Sequence, residues 1–383
     1  MPAQASLALG WRERWRTARD RLLTSPRFQQ AAMRFFGTRP IARQRARGLF
    51  DLVAGFVYSQ LLLACVQLKL FDRLAQAPMT AAQLATEGRM PLLSAERLLA
   101  AAGSLQLAEA RGPGEDGELR YGLGALGAAM VGNGAVAALV EHHGALYSDM
   151  ADPLAMLRNE RGGGALSRYW AYAEAADPGA LGSDHVAPYS ALMAASQPLV
   201  AGQVLDAYRI GQHRRLLDLG GGEGVFAAHA LQRAPRLQAM VFDLPAVAER
   251  ARAHFGRLGL AQRAAAYGGD FLRDALPEGA DVVSLVRVIY DHDDAPALAI
   301  LRAARRALPA GGTLLLAEPM AGAAGAQAMG AAYFGMYLMA MGSGRARSAA
   351  DLGRLVGAAG FTRIRECRTA LPLQAGLLVA RAD

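Results

Sequence analysis

The sequence predicts an α/β protein in which a Rossmann-like sheet of seven strands follows an N-terminal α-helical domain of the winged-helix type. Three observations lead to this prediction. From residue 214 onward, short apolar strands alternate with helical patterns, as in a doubly wound parallel sheet. The first of these strands leads into a glycine-dense turn. Two capped helical patterns and a hairpin pattern precede the sheet, and 383 residues exceed what a single core usually holds.

The catalytic domain is expected at residues 211–383, because all seven strand candidates lie there. Five of them alternate with helices, and the last two have the extended character needed to close the sheet. The seven candidates are residues 215–219, 238–242, 264–267, 281–286, 312–317, 361–368 and 376–381. Residues 135–210 look helical throughout, and we expect them to connect the two domains and to contribute to a substrate pocket.

Residues 50–134 carry the winged-helix pattern. Thr80 and Ser94 each stand before a short helical pattern as a capping residue, and residues 119–123 suit the hairpin wing. Many winged helices bind DNA, yet Arg97 is the only basic residue on the second helix. Phosphate binding needs several cations on one face, so dimerisation is expected here and nucleic acid is not an expected partner.

A basic arm of residues 1–49 precedes this domain. Its first 47 residues carry eleven arginines against Glu13 and Asp20, so the arm accounts for the chain's net charge of +8. Two interpretations stay open. The arm is either a solvated extension or an electrostatic contact with an anionic membrane surface, where each arginine contributes about 1 kcal/mol.

The two cysteines, Cys65 and Cys367, stand far apart without a nearby ligand pattern. This spacing argues against a disulfide framework or a metal site and favours a reducing, cytoplasmic location. An uncharged run at residues 319–344 is long enough to span a membrane, but its Ala, Gly and Met content favours a buried helix beside an apolar pocket.

A nucleotide-type site is predicted where the first strand meets its glycine turn. The strand ends with Asp218, and Gly220, Gly222 and Gly224 follow before a helix that starts near Val225. Glycines let the backbone approach a ligand, and the helix N-terminus offers free N–H groups. A dinucleotide fingerprint would need glycine at position 225, so a nicotinamide dehydrogenase is disfavoured.

Further candidates follow the next strands of the sheet. Asp243 and Leu244 come after the second strand, where an acidic residue can accept hydrogen bonds from both hydroxyls of a ribose. Asp270 and Phe271 end the third strand, where they could bind the amine and the ring of an adenine. For Arg287, at the end of the fourth, two interpretations stay open, namely contact with the cofactor and a surface ion pair.

These segments resemble the O-methyltransferase family that includes plant caffeate and flavonoid enzymes. The resemblance rests on DLGGGEG, FDLP, GGDF, SLVRVIYDHDD (284–294) and ALPAGGTLLLAEPM (307–320), and it covers almost all of the chain beyond the arm. It implies S-adenosyl-L-methionine as the cofactor, and a homodimer formed through the winged-helix domain. It counts against a non-catalytic or DNA-binding regulator built on the winged helix.

Within the family, the chain is similar to the carotenoid-methylating enzymes of purple bacteria. That similarity rests on EHHGALYSDMADP, SLVRVIYDHDD, AEPMAG and AAYFGMYLMAMGSGRARS. It implies methylation of the tertiary 1-hydroxyl of an acyclic carotenoid, a lipophilic substrate, by an enzyme on the inner face of a photosynthetic membrane. A different large apolar or aromatic acceptor, such as a phenol or a bacteriochlorophyllide, stays open as the alternative.

The expected catalytic residues depart from the plant pattern. Plant members use the His of a His-Asp-Trp run as general base, and an alignment without gaps places Tyr290 at that position, followed by Asp291 and His292. Glu318 falls on the acid that steadies the base. A tertiary alcohol is too weak an acid for prior deprotonation, so His292 could take the proton late while Tyr290 orients the hydroxyl. The alternatives are a packing role for Tyr290 and a capping or surface role for His292.

Substrate contacts are expected from two segments. His142 and His143 are adjacent, so on a helix they point about 100° apart and suit a shared metal poorly, but one of them could face the substrate. The uncharged run offers Met329, Tyr333 and Met336, and flexible thioethers suit long apolar ligands. Ordinary core packing is the alternative for each Met. No metal is predicted.

Overall fold

The computed structural model describes residues 10–114, 117–158, 163–170, 182–323, 327–372 and 374–383. The chain forms two compact units, residues 1–128 and 129–383. Residues 1–9 of the predicted arm and parts of the predicted 135–210 segment lie outside the described residues. The bounds of the four segments expected from the sequence stay predictions.

The first unit contains seven described helices and a small antiparallel sheet in the order β1-β3-β2. Its strands are β1 (Met79–Thr80), β2 (Ala108–Pro113) and β3 (Leu119–Leu123). Its helices are α1 (Trp11–Leu23), α2 (Pro26–Arg34), α3 (Arg39–Gln67), α4 (Leu70–Gln76), α5 (Ala81–Glu87), α6 (Leu92–Ser104) and α7 (Ala125–Ala128).

The two predicted caps of this unit have different outcomes. Thr80 caps α5 in a capping box with Gln83, as the sequence predicts. Ser94 does not cap α6, because that helix already begins at Leu92 and has Pro91 at its N-cap. The sequence also missed β2, which pairs with the predicted wing strand.

Helix α3 is the one described helix long and apolar enough to cross a membrane, judged by length and composition alone. The sequence indicates a different segment, residues 319–344, as long enough to span a membrane. In α3 only Cys65 is buried, and an apolar face recurring at helical spacing is exposed. The large side chains of this face are Leu49, Phe50, Leu52, Val53, Phe56 and Val57.

The second unit surrounds a seven-stranded sheet with helices. The strands are β4 (Arg215–Leu219), β5 (Gln238–Asp243), β6 (Ala264–Gly268), β7 (Val282–Val286), β8 (Gly312–Glu318), β9 (Thr362–Cys367) and β10 (Gly376–Ala382). The described α-helices are α8 (Gly134–Met150), α9 (Pro153–Leu157), α10 (Ala165–Tyr169), α11 (Ser183–Ala207), α12 (Val225–Arg233), α13 (Pro245–Arg257), α14 (Asp294–Ala307), α15 (Phe334–Met341) and α16 (Ala349–Ala358). Short 3-10 turns occupy Ile210–Gln212 and Ile289–Asp291, and a π turn occupies Met329–Tyr333.

The strand order β6-β5-β4-β7-β8-β10-β9 confirms the predicted Rossmann-like sheet. Strands β4 to β8 are parallel, and β10 runs antiparallel to both β8 and β9. Each predicted strand lies within one residue of its observed bounds, because the buried strands are short apolar runs flanked by polar residues. The order reverses beside β4, so the crevice where such sheets bind ligands opens at the carboxyl ends of β4, β5 and β7.

Candidate active site

A cavity of about 540 Å³ opens at these carboxyl ends. The structure brings many of the predicted cofactor residues together around it, although as many as 67 positions of the chain, from Gly220 to Arg287, separate them. The predicted residues that line the cavity are Gly220, Gly222, Asp243, Leu244, Asp270, Phe271, Arg287 and His292.

The glycine loop adopts a backbone that other residues rarely take. Gly220, Gly222 and Gly224 have φ angles of 64°, 58° and 76°. A Cβ at Gly220 would lie 2.7 Å from the Val288 side chain, and one at Gly224 would overlap the ring of Phe255. Gly224 therefore serves the close packing at the start of α12 and is not among the residues that line the cavity.

Asp243 holds the loop from the neighbouring strand. Its carboxylate accepts hydrogen bonds from the backbone N–H groups of Gly222, at 2.8 Å, and Leu244, at 2.7 Å. Burial raises the pKa of Asp243 to about 6, and these two hydrogen bonds oppose the increase. Because each carboxylate oxygen can accept two hydrogen bonds, Asp243 keeps acceptor capacity toward the cavity.

Asp218 lies beneath the loop and does not line the cavity. It is 1% exposed, and Ser284 donates its hydroxyl proton to Asp218 Oδ1 at 2.5 Å. Burial raises the pKa of Asp218 to about 7. A Cβ at Gly221 would lie 2.6 Å from Oδ2, so this carboxyl packs directly under the turn. Its geometry suits support of the loop more than direct contact with a ligand.

Asp270, Phe271 and His292 form one end of the cavity. The rings of Phe271 and His292 meet edge to face, with centroids 5.8 Å apart. Burial, together with the Arg347 guanidinium, lowers the pKa of His292 to about 4. The His292 ring is therefore neutral at physiological pH and can accept a proton. His292 is neither the N-cap of α14, which is Asp293, nor an exposed surface group.

Glu318 fixes the backbone of the Ile289–Asp291 turn, which carries the predicted catalytic residues. Its Oε1 atom accepts hydrogen bonds from the N–H groups of Val288, at 3.1 Å, and Ile289, at 2.8 Å. The side chain is 1% exposed, and burial raises the pKa of Glu318 to about 8. Glu318 Oε1 thus binds the backbone at the start of this turn.

Arg347 fixes the same turn from the opposite side. Its buried guanidinium donates to the carbonyl oxygens of Ile289, at 3.0 Å, and His292, at 2.8 Å. It also pairs with the carboxylate of Asp294 at 2.7 Å. The turn is thereby held at both ends, which restricts the positions that the His292 ring can take.

Tyr290 points away from this cavity. It is 7% exposed, meets the ring of Phe334 edge to face at 5.9 Å, and does not line the cavity. Burial raises its pKa well above the usual range. Among the described residues this geometry favours the packing interpretation, and the orienting role of Tyr290 stays a prediction.

Arg287 lines the cavity, but its guanidinium contacts helix α11. It donates to the Ser196 hydroxyl at 2.7 Å, to the Gln197 side-chain oxygen at 2.5 Å and to the carbonyl of Met193 at 3.1 Å. Arg287 therefore joins the end of β7 to the helix that forms the opposite wall of the cavity.

The two predicted substrate histidines belong to an aromatic cluster. His142 shares a hydrogen bond of 2.7 Å with the Tyr337 hydroxyl, and His143 shares one of the same length with the Tyr333 hydroxyl. Burial lowers the pKa of His142 to about 4 and that of His143 in the same direction. Trp170 also donates to the Tyr337 hydroxyl and itself lines the cavity, so the cluster adjoins the cavity without opening into it.

Met329 and Met336 are half-buried and do not line the cavity. Among the described residues of the predicted pocket segment 319–344, only Gly342 and Ser343 reach its wall. The sequence missed several residues that do line it, namely Asp291, Trp170, Tyr189, Met193 and Val247. Asp291 could have been found, since it stands between two predicted catalytic residues, but the others lie on helices or at a helix end without a distinguishing motif.

Two families match the chain. The O-methyltransferase domain matches residues 147–362, and the O-methyltransferase dimerisation domain matches residues 50–133. The demethylspheroidene O-methyltransferase of Cereibacter sphaeroides is 40% identical, with 90% of this chain and 89% of that protein covered. The enzyme of the same name from Rhodobacter capsulatus is 36% identical, with 89% and 83% covered.

Solved structures share the fold. Human N-acetylserotonin methyltransferase, determined in complex with SAM, superposes with a TM-score of 0.73 at 24% identity, covering 88% of this chain and 97% of that one. The O-methyltransferase domain matches more than half of the sequence, and the relatives from purple bacteria align with nearly all of it. The chain is therefore a member of the O-methyltransferase family.

Proposed function

We propose that the protein transfers a methyl group from S-adenosyl-L-methionine to the tertiary 1-hydroxyl of an acyclic hydroxycarotenoid. The observation that carries this proposal is the 40% identity, over 90% of the chain, to a demethylspheroidene O-methyltransferase. The site supports it in two ways, through the acidic side chains and through the apolar side chains that line the cavity.

The acidic side chains that line the cavity fit a cationic cofactor. Five carboxylates line the cavity, whereas its basic side chains are Arg273 and Arg287, and the Arg287 guanidinium is bonded to α11. This excess of acids favours a sulfonium and an amino group. The five acids are Glu223, Asp243, Asp270, Asp291 and Asp293. When bound, S-adenosyl-L-methionine supplies an electrophilic methyl group.

The residues that would hold this cofactor follow from their positions. Asp243 would accept hydrogen bonds from the ribose hydroxyls through its remaining lone pairs. Asp270 would accept one from the adenine amine, and Phe271 would pack on the adenine ring. The loop at Gly220 and Gly222 would let the backbone approach, since neither residue carries a side chain.

The apolar side chains that line the cavity suit a lipophilic acceptor. Trp170, Tyr189, Met193 and Val247 present aromatic, thioether and aliphatic groups there. Such a wall excludes water and places the acceptor oxygen by shape, which matters for a tertiary alcohol that no side chain can deprotonate in advance.

His292 would accept the proton as the oxygen–methyl bond forms. Its ring lines the cavity and is neutral, because its pKa is lowered to about 4. Such a weak base suits a late transfer from an oxygen that becomes strongly acidic on methylation. Asp291 lines the cavity beside it and is the competing acceptor.

The pH dependence of turnover tests this assignment. A histidine with its pKa lowered to about 4 stays unprotonated above that value. We therefore expect kcat to be constant between about pH 5.5 and 8, where an ordinary histidine would titrate. His292→Gln should lower kcat about 100-fold at every pH in this range. A loss confined to Asp291→Asn would move the role away from His292, and so would an inflection near pH 6.5 that His292→Gln does not remove.

A methyl-transfer assay tests the proposed substrate. Purified protein and labelled S-adenosyl-L-methionine would be offered a 1-hydroxy acyclic carotenoid in detergent, N-acetylserotonin, a catechol and a bacteriochlorophyllide in separate reactions. We expect one methyl group to be added to the carotenoid hydroxyl alone, as read by mass spectrometry. N-acetylserotonin is included because acetylserotonin O-methyltransferases are 31–32% identical over 86–88% of this chain. Transfer to a phenol or a bacteriochlorophyllide, but not to the carotenoid, would refute the substrate assignment.

The assembly and location are also proposed. A homodimer would cover the apolar face of α3, which lies largely within the matched dimerisation domain. Sedimentation equilibrium measures the mass of the assembly directly.

A cytoplasmic enzyme placed at the inner face of a photosynthetic membrane, in contact through its basic arm, would meet a carotenoid where that acceptor dissolves.

A further inference from the structure

Helix α1 presents one continuous apolar stripe to solvent. At about 100° per residue, Trp11, Trp15, Ala18 and Leu22 fall within about 60° of one another around the helix axis. The three large side chains of the stripe are 74%, 61% and 50% exposed, and no residue of α1 is buried. The rest of its unit thus leaves this stripe uncovered.

Arginines flank the stripe on both sides. With the same geometry they lie between about 70° and 130° from its centre. They are Arg12, Arg16 and Arg19 on one side and Arg14 and Arg21 on the other. The guanidinium carbons of Arg12 and Arg19 lie 5.4 Å and 5.7 Å from the ring centroids of Trp11 and Trp15. The cations therefore border the apolar stripe directly.

The two acids of α1 lie on the opposite side of the helix from the apolar stripe. Glu13 and Asp20 are about 180° from the centre of the stripe. A helix in the plane of a lipid surface has this arrangement, in which apolar groups enter the acyl boundary, cations reach the phosphates from the sides and acids face water. A solvated extension has no reason to sort its side chains in this way.

We propose that α1 is an in-plane anchor that binds an anionic lipid surface through this stripe and its flanking arginines. The occupant is a membrane because the face combines exposed indoles with five cations, whereas a protein interface of this chain already has a matched segment beginning at residue 50. The anchor rests on the proposed function in one respect, since a lipid-soluble acceptor gives the enzyme a reason to work at a membrane.

Vesicle binding by the full-length protein tests the anchor without acceptor or cofactor. We expect co-sedimentation with vesicles in which a third of the lipid is phosphatidylglycerol, little with phosphatidylcholine alone, and release at about 1 M salt. Two of the three tryptophans lie in α1, and the third, Trp170, is only 3% exposed. Binding should therefore shift tryptophan emission to shorter wavelength, and brominated lipids should quench it.

Two sets of variants separate the apolar stripe from the charge. Arg12→Gln/Arg14→Gln/Arg21→Gln removes three arginines that form no ion pair within the described part of the chain, and should weaken binding roughly 100-fold or more. Trp11→Ser/Trp15→Ser/Leu22→Ser should weaken it at least as much. The matched controls are Arg236→Gln/Arg302→Gln/Arg306→Gln and Leu154→Ser/Leu258→Ser/Leu371→Ser, which change exposed residues of the second unit and should bind as the unchanged protein does.

Three outcomes would overturn the anchor. Equal binding by the α1 variants and their controls would exclude α1 as the contact. A loss of dimer mass in the stripe variant without vesicle binding by the unchanged protein would assign the stripe to a second copy. Resistance of the bound protein to alkaline carbonate would indicate a membrane-spanning α3 instead. The α1 variants should keep methyl transfer in detergent, so failure of the anchor and failure of the proposed reaction are distinguishable.

Discussion

Asp243→Ala is expected to weaken the binding of S-adenosyl-L-methionine roughly 100-fold or more. A hydrogen bond to a charged group contributes about 1.5–3 kcal/mol, and the substitution would remove two such bonds to the ribose. It would also free the N–H groups of Gly222 and Leu244, which the carboxylate now holds at 2.8 and 2.7 Å. Isothermal titration calorimetry measures the affinity, and thermal unfolding checks that the variant is folded.

The pH dependence of this affinity provides a second readout. Burial raises the pKa of Asp243 to about 6, so the carboxylate is lost as pH falls through that value. Affinity should be constant above about pH 7 and decline about tenfold per unit below about pH 6. Asp243→Asn should remove this decline. Because burial also raises the pKa of Asp218 to about 7, the Asn variant is needed to separate the two carboxyls.

Asp206→Ala is the matched control for Asp243→Ala. Asp206 is 66% exposed at its side chain and pairs with Arg233 at the surface of the same unit. Its loss should leave cofactor affinity unchanged, since an exposed ion pair contributes about 0–1 kcal/mol to stability and the residue does not line the cavity. An Asp243→Ala protein that binds S-adenosyl-L-methionine within a factor of three of the unchanged protein would contradict the assignment of the ribose site.

Glu318→Ala is expected to lower both stability and turnover, whereas Glu318→Gln preserves them. The alanine variant leaves the buried N–H groups of Val288 and Ile289 without an acceptor, at about 1–3 kcal/mol each. The turn that carries Asp291 and His292 would then loosen, and kcat should fall about 100-fold. Glutamine keeps an oxygen at the same place, and its neutral amide resembles the protonated carboxyl that a pKa of about 8 implies at neutral pH.

The sign of the pH effect follows from the same raised pKa. Between its unfolded value near 4.5 and its folded value of about 8, the folded protein retains a proton at Glu318 that the unfolded chain has lost. Its contribution to stability therefore falls as pH rises through this interval. Relative to the unchanged protein, Glu318→Gln should become more stable from about pH 5 to pH 8 in denaturant titrations. If glutamine impairs turnover as severely as alanine, the charge of Glu318 acts in catalysis.

The sequence by itself determined the second unit's architecture and the position of its cofactor cavity. Strands β4 to β8 are short apolar runs between polar residues, and such a local pattern is sufficient because both faces of a parallel strand are buried. Gly220, Gly222 and Asp243 were also predictable, since a turn with positive φ and an acid at a strand end depend on nearby residues.

Only the tertiary structure decided which side chains of the 290–292 segment reach the cavity. Three consecutive residues of a tight turn point in different directions, and contacts with Glu318 and Arg347, over 29 and 55 positions of the chain, set the orientation. The structure likewise placed Asp218 beneath the loop and made α11 the apolar wall in preference to most of residues 319–344. These outcomes depend on long-range packing. The local hydrophobic pattern of a single sequence does not report such contacts.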